Sequence, residues 1–106
     1  MSTNLYQAWV YILKCSDNSY YKGKTQSLET RIEQHQQGTY KGYTFGRRPV
    51  TLVWSAGFLT YREAIMCELQ IKGWSRAKKE ALISGNINLL RELAACRNKS
   101  HFSNIK

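Results

Sequence analysis

Only seven side chains in this sequence are acidic: Asp17, Glu29, Glu33, Glu63, Glu68, Glu80 and Glu92. They are scattered, with no DxD or similar pair, which argues against a two-metal site, because two neighbouring ions need several converging carboxylates. Glu68 stands apart from the others. It follows Ala64 by four residues and Ile65 by three, and precedes Ile71 by three, in otherwise apolar surroundings. A carboxylate in such a place has to be paired or metal-bound. Two readings are open: a ligand of a single Mg²⁺, completed by water and a substrate phosphate, or a partly exposed glutamate in an ion pair with a neighbouring lysine or arginine.

Arg31 and His35 are four residues apart, beside the apolar positions Leu28 and Ile32. On a helix both project from one edge of the packed face and can meet a phosphate together; the alternative is a solvated arginine beside a histidine hydrogen-bonded at the helix end. Tyr11 and Tyr21 lie in short β-prone runs, with Lys24 just beyond the second. Tyrosines in strands are most often half-buried packing residues, so taken alone these two do not specify a chemistry.

The elements that position these residues follow from hydrophobic period and punctuation. The run Ala8–Leu13, the polar turn Ser16-Asp17-Asn18-Ser19 and the pair Tyr20-Tyr21 read as strand, turn and strand. Ser27 caps a helix with Leu28, Ile32 and His35 on one face, and Gly38 stops it. From Thr39 to Pro49 aromatic, glycine and basic residues follow one another without periodicity, which reads as a functional loop. Val50 to Phe58 supplies a third strand. Thr60 with Glu63 makes a capping box for a second helix reaching about Ile71. Gly73 and Trp74 break that helix, Ser75 caps a third that ends before Gly85, and a fourth starts near Asn86 or Asn88. The order is ββα, loop, βααα, which predicts an α+β fold with a small three-stranded antiparallel sheet flanked by helices.

With 106 residues, 42% apolar and 12% aromatic, the chain fits one globular domain, placed at 1–96, with a polar, aperiodic tail at 97–106. Sixteen basic against seven acidic residues give a net charge of +9, which makes a polyanion, above all nucleic acid, the leading partner class. Cys15, Cys67 and Cys96 form no CxxC pair, and an odd count suits a reducing compartment. With neither a signal-peptide pattern nor a run long enough to cross a bilayer, the expected location is cytoplasmic, with no membrane partner.

Taken together, Val10-Tyr11-Ile12 followed by Tyr21-Lys22-Gly23 resembles the two half-motifs of the GIY-YIG nuclease superfamily. The resemblance covers most of the chain, from Trp9 to about Leu93. It takes in Lys24, Arg31, His35, Glu68, the run Arg47-Arg48-Pro49 and the run Lys72-Gly73-Trp74-Ser75-Arg76, and it is strongest to the short stand-alone bacterial members. More distantly, the chain is similar to the catalytic domains of the bacterial excision-repair incision subunit and of junction nucleases. Trp9 stands where the first half-motif usually has glycine. Lys22 replaces the usual valine or isoleucine, and strand alternation points it away from Tyr21 and Gly23.

The resemblance implies an endonuclease acting on DNA, in repair or recombination, with one Mg²⁺ or Mn²⁺ held by Glu68. It implies catalytic roles for Tyr11, Tyr21, Lys24, Arg31, His35 and Glu68, with Tyr21 deprotonating the attacking water, aided by Tyr11 or His35. Lys41, Arg47, Arg48, Lys72, Arg76, Lys78 and Lys79 would grip flanking phosphates, and Tyr40 and Tyr43 would stack on a base. The alternative is a catalytically inactive module that binds DNA or RNA on the same fold. A third reading is a basic structural protein. DNA is the expected polymer over RNA, and the expected state is a monomer or weak dimer. Such a site requires Tyr11 and Tyr21 on one sheet face, which a three- or five-residue hairpin loop gives and a two-residue turn does not.

Overall fold

The structure, a computed structural model, describes residues 6–39 and 41–97, and for 93–97 the backbone alone. Three strands, β1 (Ala8–Lys14), β2 (Tyr20–Thr25) and β3 (Thr51–Phe58), form one sheet in the order β2-β1-β3 with both pairings antiparallel. Four helices, α1 (Leu28–Gln37), α2 (Tyr61–Lys72), α3 (Arg76–Ile83) and α4 (Ile87–Arg97), complete an α+β fold, as the periodicities predict. α4 runs one residue into the expected tail; positions 98–106 lie outside the described residues.

Helix boundaries follow local chemistry. The Thr60 and Ser75 hydroxyls accept from the backbone N–H of Glu63 and Lys78, both at 3.2 Å, and Asn86 accepts from Leu89 N–H at 3.1 Å. Each cap satisfies an N–H that the first turn leaves without a partner. Ser27 occupies the N-cap position of α1 without such a side-chain bond. Gly38 ends α1 at φ 78°, in the left-handed region that glycine enters without a Cβ penalty.

The sheet separates two apolar clusters. Ala8, Val10 and Ile12 of β1 face the larger one, with Phe58, Ala64, Cys67, Ile71 and Leu82, beneath α2 and α3. Tyr11, Leu13 and Cys15 face the smaller one, with Val50, Tyr21 and the α1 residues Leu28 and Ile32. A register shift between Ile12 and Leu13 in the β1–β3 pairing inserts Val53, and both Val53 and Trp54 pack against the larger cluster. A strand buried on both faces explains why β1 carries an almost unbroken apolar run.

Candidate functional site

β1 and β2 are joined by a five-residue loop, Cys15–Ser19, closed by Cys15 N–H donating to the Ser19 carbonyl at 2.8 Å. Tyr21 pairs with Leu13 and Gly23 with Tyr11, an even register that puts both phenols on the α1 face of the sheet. Their ring centroids are 6.4 Å apart. Tyr11 is fully buried because its ring lies over Gly23: a Cβ built there would fall 2.5 Å from the Tyr11 hydroxyl oxygen and 2.7 Å from Cζ. Only glycine leaves that space, a physical reason for the last residue of the second half-motif.

α1 brings Arg31 and His35 to the same point. His35 Nε2 is 2.9 Å from the Tyr11 hydroxyl, and its Nδ1 is 2.8 Å from Thr44 Oγ1. All three residues are buried, so the chain Tyr11–His35–Thr44 fastens the loop after α1 to the centre of the sheet. Burial, reinforced by Arg31, lowers the His35 pKa and keeps the imidazole neutral. Burial also raises the Tyr11 pKa far above the ordinary phenol value, with Tyr21 adding to the rise and the charge and hydrogen bond of Arg31 opposing it. Arg31 therefore stands beside the Tyr11 hydroxyl, and Glu68 lies within electrostatic reach of it.

Glu68, from α2, lies at the β2 edge of this cluster. Its Oε1 accepts from Lys24 Nζ at 2.9 Å, with side-chain exposures of 19% and 30%, and that hydrogen bond raises the Lys24 pKa. The six residues expected to act together thus gather around the β2 edge. Glu68 takes the ion-pair alternative, and its charge is already balanced.

The loop adds an aromatic and cationic surface. Tyr43 stacks on Tyr21 at 5.9 Å between centroids, and the Arg47 guanidinium lies 4.0 Å from the Tyr43 ring centroid. Arg47 also donates to Asp17 at 3.0 Å and to the Tyr43 carbonyl at 2.7 Å. Arg48 and Lys41 both lie over Phe45, and Arg48 donates to the Phe45 carbonyl at 2.8 Å. Lys72 is exposed at the end of α2. Arg76, Lys78 and Lys79 belong to α3 on the opposite side of the sheet, where Arg76 pairs with Glu80 and Lys78 with Glu92. Tyr40 lies outside the described residues. Thr44 and Asp17, which hold the loop in place, carry no signal in the sequence, since a threonine in a loop and an aspartate in a turn have many uses.

Comparison with known proteins places this arrangement. A model described as the GIY-YIG catalytic domain matches residues 7–81. The UPF0213 protein YazA of Bacillus subtilis is 41% identical over 88 residues, covering 83% of this chain and 87% of its own. A UPF0213 protein of Halobacterium salinarum is 45% identical over 73 residues, 69% of this chain and 95% of its own. The solution NMR structure of the UPF0213 protein BH0048 from Bacillus halodurans shares 42% identity and a TM-score of 0.51, over 74% of this chain and 84% of that one.

These findings correct the expectation of a metal-dependent endonuclease. The relatives matched over most of their length are UPF0213 proteins. Among the described residues no three His, Cys, Asp or Glu side chains gather where they could hold a metal ion. Mg²⁺ or Mn²⁺ does not fit Glu68 as it stands, because Lys24 takes its Oε1 at 2.9 Å and balances the charge that a cation would need. The two expected aids to Tyr21 are otherwise engaged. Burial keeps Tyr11 protonated, and both His35 nitrogens are engaged, with Tyr11 and Thr44. The roles of nuclease, hydrolase and magnesium site therefore fall, while the fold stands.

Proposed function

The chain belongs to the GIY-YIG domain superfamily and, within it, to the UPF0213 proteins, and we propose that it is a nucleic-acid-binding module that uses this fold to hold a phosphate backbone without cutting it. The observation that carries the reading is the Lys24–Glu68 ion pair at 2.9 Å. It removes the one negative charge from a cluster that also holds Arg31, so the β2 edge presents cationic charge to a phosphate. Arg31 is the planar donor suited to two phosphate oxygens, and Lys41, Arg47, Arg48 and Lys72 extend the surface to neighbouring phosphates. Tyr43, 42% exposed and stacked between Tyr21 and Arg47, offers its exposed edge to a sugar or phosphate.

Among the described residues no helix is long and apolar enough to cross a membrane. The net charge of +9 favours polyanions in general, and DNA is the first polymer to test.

The test is fluorescence anisotropy with labelled duplex, branched and single-stranded DNA and with duplex RNA, across a salt series, with gel analysis of the same samples with and without Mg²⁺. The expected result is salt-dependent binding of at least one polymer with the backbone left intact. Cleavage, or no binding of any polymer at low salt, refutes the reading.

A further inference from the structure

In this basic chain most acidic side chains already hold a cation. Asp17, Glu68, Glu80 and Glu92 each meet a lysine or arginine at 2.9 to 3.3 Å. Glu29, Glu33 and Glu63 form no ion pair among the described residues. Glu29 and Glu33 stand one helical turn apart on α1 and line the same groove.

That groove, about 380 Å³, lies between α1 and the start of β3. Leu28, Ile32 and Leu52 make its lining almost wholly apolar, Gln36 completes it, and no basic residue takes part. Gln36 fixes its width: the side-chain amide donates to the Val50 carbonyl and accepts from the Val50 N–H, both at 2.7 Å. A second hollow shares Leu28 and Glu29 and reaches Trp9. Residues two apart on a helix point to nearly opposite sides. Glu29 and Glu33 therefore face β3, away from Arg31 and the phosphate-binding cluster.

The strand beside the groove is an open edge. In the order β2-β1-β3, β3 has β1 on one side, and among the described residues nothing bonds the outer edge from Thr51 to Ala56. Exposed edges are normally guarded by charge or proline. β2, the other edge, carries Lys22 and Lys24, whereas β3, Thr-Leu-Val-Trp-Ser-Ala-Gly-Phe, has neither charge nor proline. Leu52, 39% exposed, pairs with Leu13 and so stands on the α1 face of this edge.

An apolar floor beneath unpaired carboxylates suits one kind of side chain, lysine or arginine, whose carbon stem lies on Leu28, Ile32 and Leu52 while its head reaches Glu29 and Glu33. We propose that the β3 edge and this groove form a docking site for an extended, basic segment of a partner protein, which adds as a fourth strand and lays alternate lysines or arginines along the groove. A second copy of this chain fits less well. Two-fold antiparallel pairing of β3 with β3 would put the four carboxylates on one side of the seam, with no cation between them.

The test uses the full chain and a fluorescent eight-residue peptide of alternating valine and lysine, beside peptides with serine or glutamate in place of lysine. Anisotropy gives affinity, and NMR amide shifts locate the contact. The lysine peptide should bind most tightly of the three at the groove and shift Glu29, Glu33, Leu52 and Ser55. Each partly exposed ion pair is worth up to about fivefold, so Glu29→Gln with Glu33→Gln should weaken the lysine peptide by about two- to thirtyfold and leave the serine peptide unchanged. A lysine peptide methylated on alternate backbone nitrogens should lose binding if strand addition is correct. No binding of the lysine peptide, equal affinity for the double variant, or shifts confined to other residues overturns the site. So does a dimer in sedimentation equilibrium that Leu52→Asn dissociates, or a groove that NOEs show filled by another segment of this chain.

Discussion

Glu68→Gln separates a charge-balancing glutamate from a ligand-holding one. In the structure the carboxylate accepts from Lys24 at 2.9 Å and faces the Arg31 and Tyr11 cluster where a phosphate is proposed to sit. Glutamine keeps the shape and an acceptor oxygen for Lys24 but removes the negative charge. With a phosphate about 7 Å away and an effective dielectric of about 40 to 80, the repulsion removed is about 0.6 to 1.2 kcal/mol. That corresponds to DNA binding about three- to sevenfold tighter. The folded state should change little, because a partly exposed ion pair contributes about 0 to 1 kcal/mol. Lys24→Gln acts in the opposite direction, since it removes a cation and leaves Glu68 unbalanced, so its binding should weaken by a similar factor. Anisotropy titrations of the parent and both variants with one labelled duplex measure these shifts. They should shrink as salt rises and the Debye length falls below about 10 Å. Weaker binding by Glu68→Gln, with stability unchanged, would show that the carboxylate itself holds the ligand and would refute the assignment.

Two further outcomes follow from the buried part of the site. Gly23→Ala places a methyl group against the Tyr11 hydroxyl and Cζ, at 2.5 and 2.7 Å before relaxation, and Tyr11 is fully buried and bonded to His35. The variant should lose about 1 to 3 kcal/mol, read from its urea midpoint, and a loss under about 0.5 kcal/mol would mean that the ring moves aside freely. His35 is held neutral by burial and by Arg31, below its ordinary value of 6.5. The unfolded chain takes up that proton below about pH 6.5 and the folded one only at lower pH. The stabilisation is therefore complete above pH 6.5 and is lost as pH falls through the lowered folded midpoint. Urea midpoints across this range should decline in the parent and decline less in His35→Asn, and the His35 ring signals should titrate below 6.5.

Much of the fold is legible along the chain because its signals are local. Thr60, Ser75 and Asn86 act within one helical turn, Gly38 ends α1 where a positive φ is needed, and the apolar run of β1 reflects burial on both faces. The candidate site is legible in its membership, since two half-motifs, a helix edge and one awkward glutamate mark Tyr11, Tyr21, Arg31, His35 and Glu68. The expected chemistry is not, because it turns on which partner Glu68 finds. Lys24 lies 44 residues away in sequence, and no periodicity reports so distant a contact.

By itself, then, the sequence determined the element order, the helix ends, the surplus of positive charge and the superfamily, all of which depend on residue type and short spacings. The tertiary structure alone decided that Lys24 neutralises Glu68, that the Tyr11 ring fills the space over Gly23, and that Thr44 completes the His35 pair. Each of these depends on segments distant in sequence being brought within a few ångströms by packing. Electrostatic energies at that range change with position and burial, and residue type does not encode either.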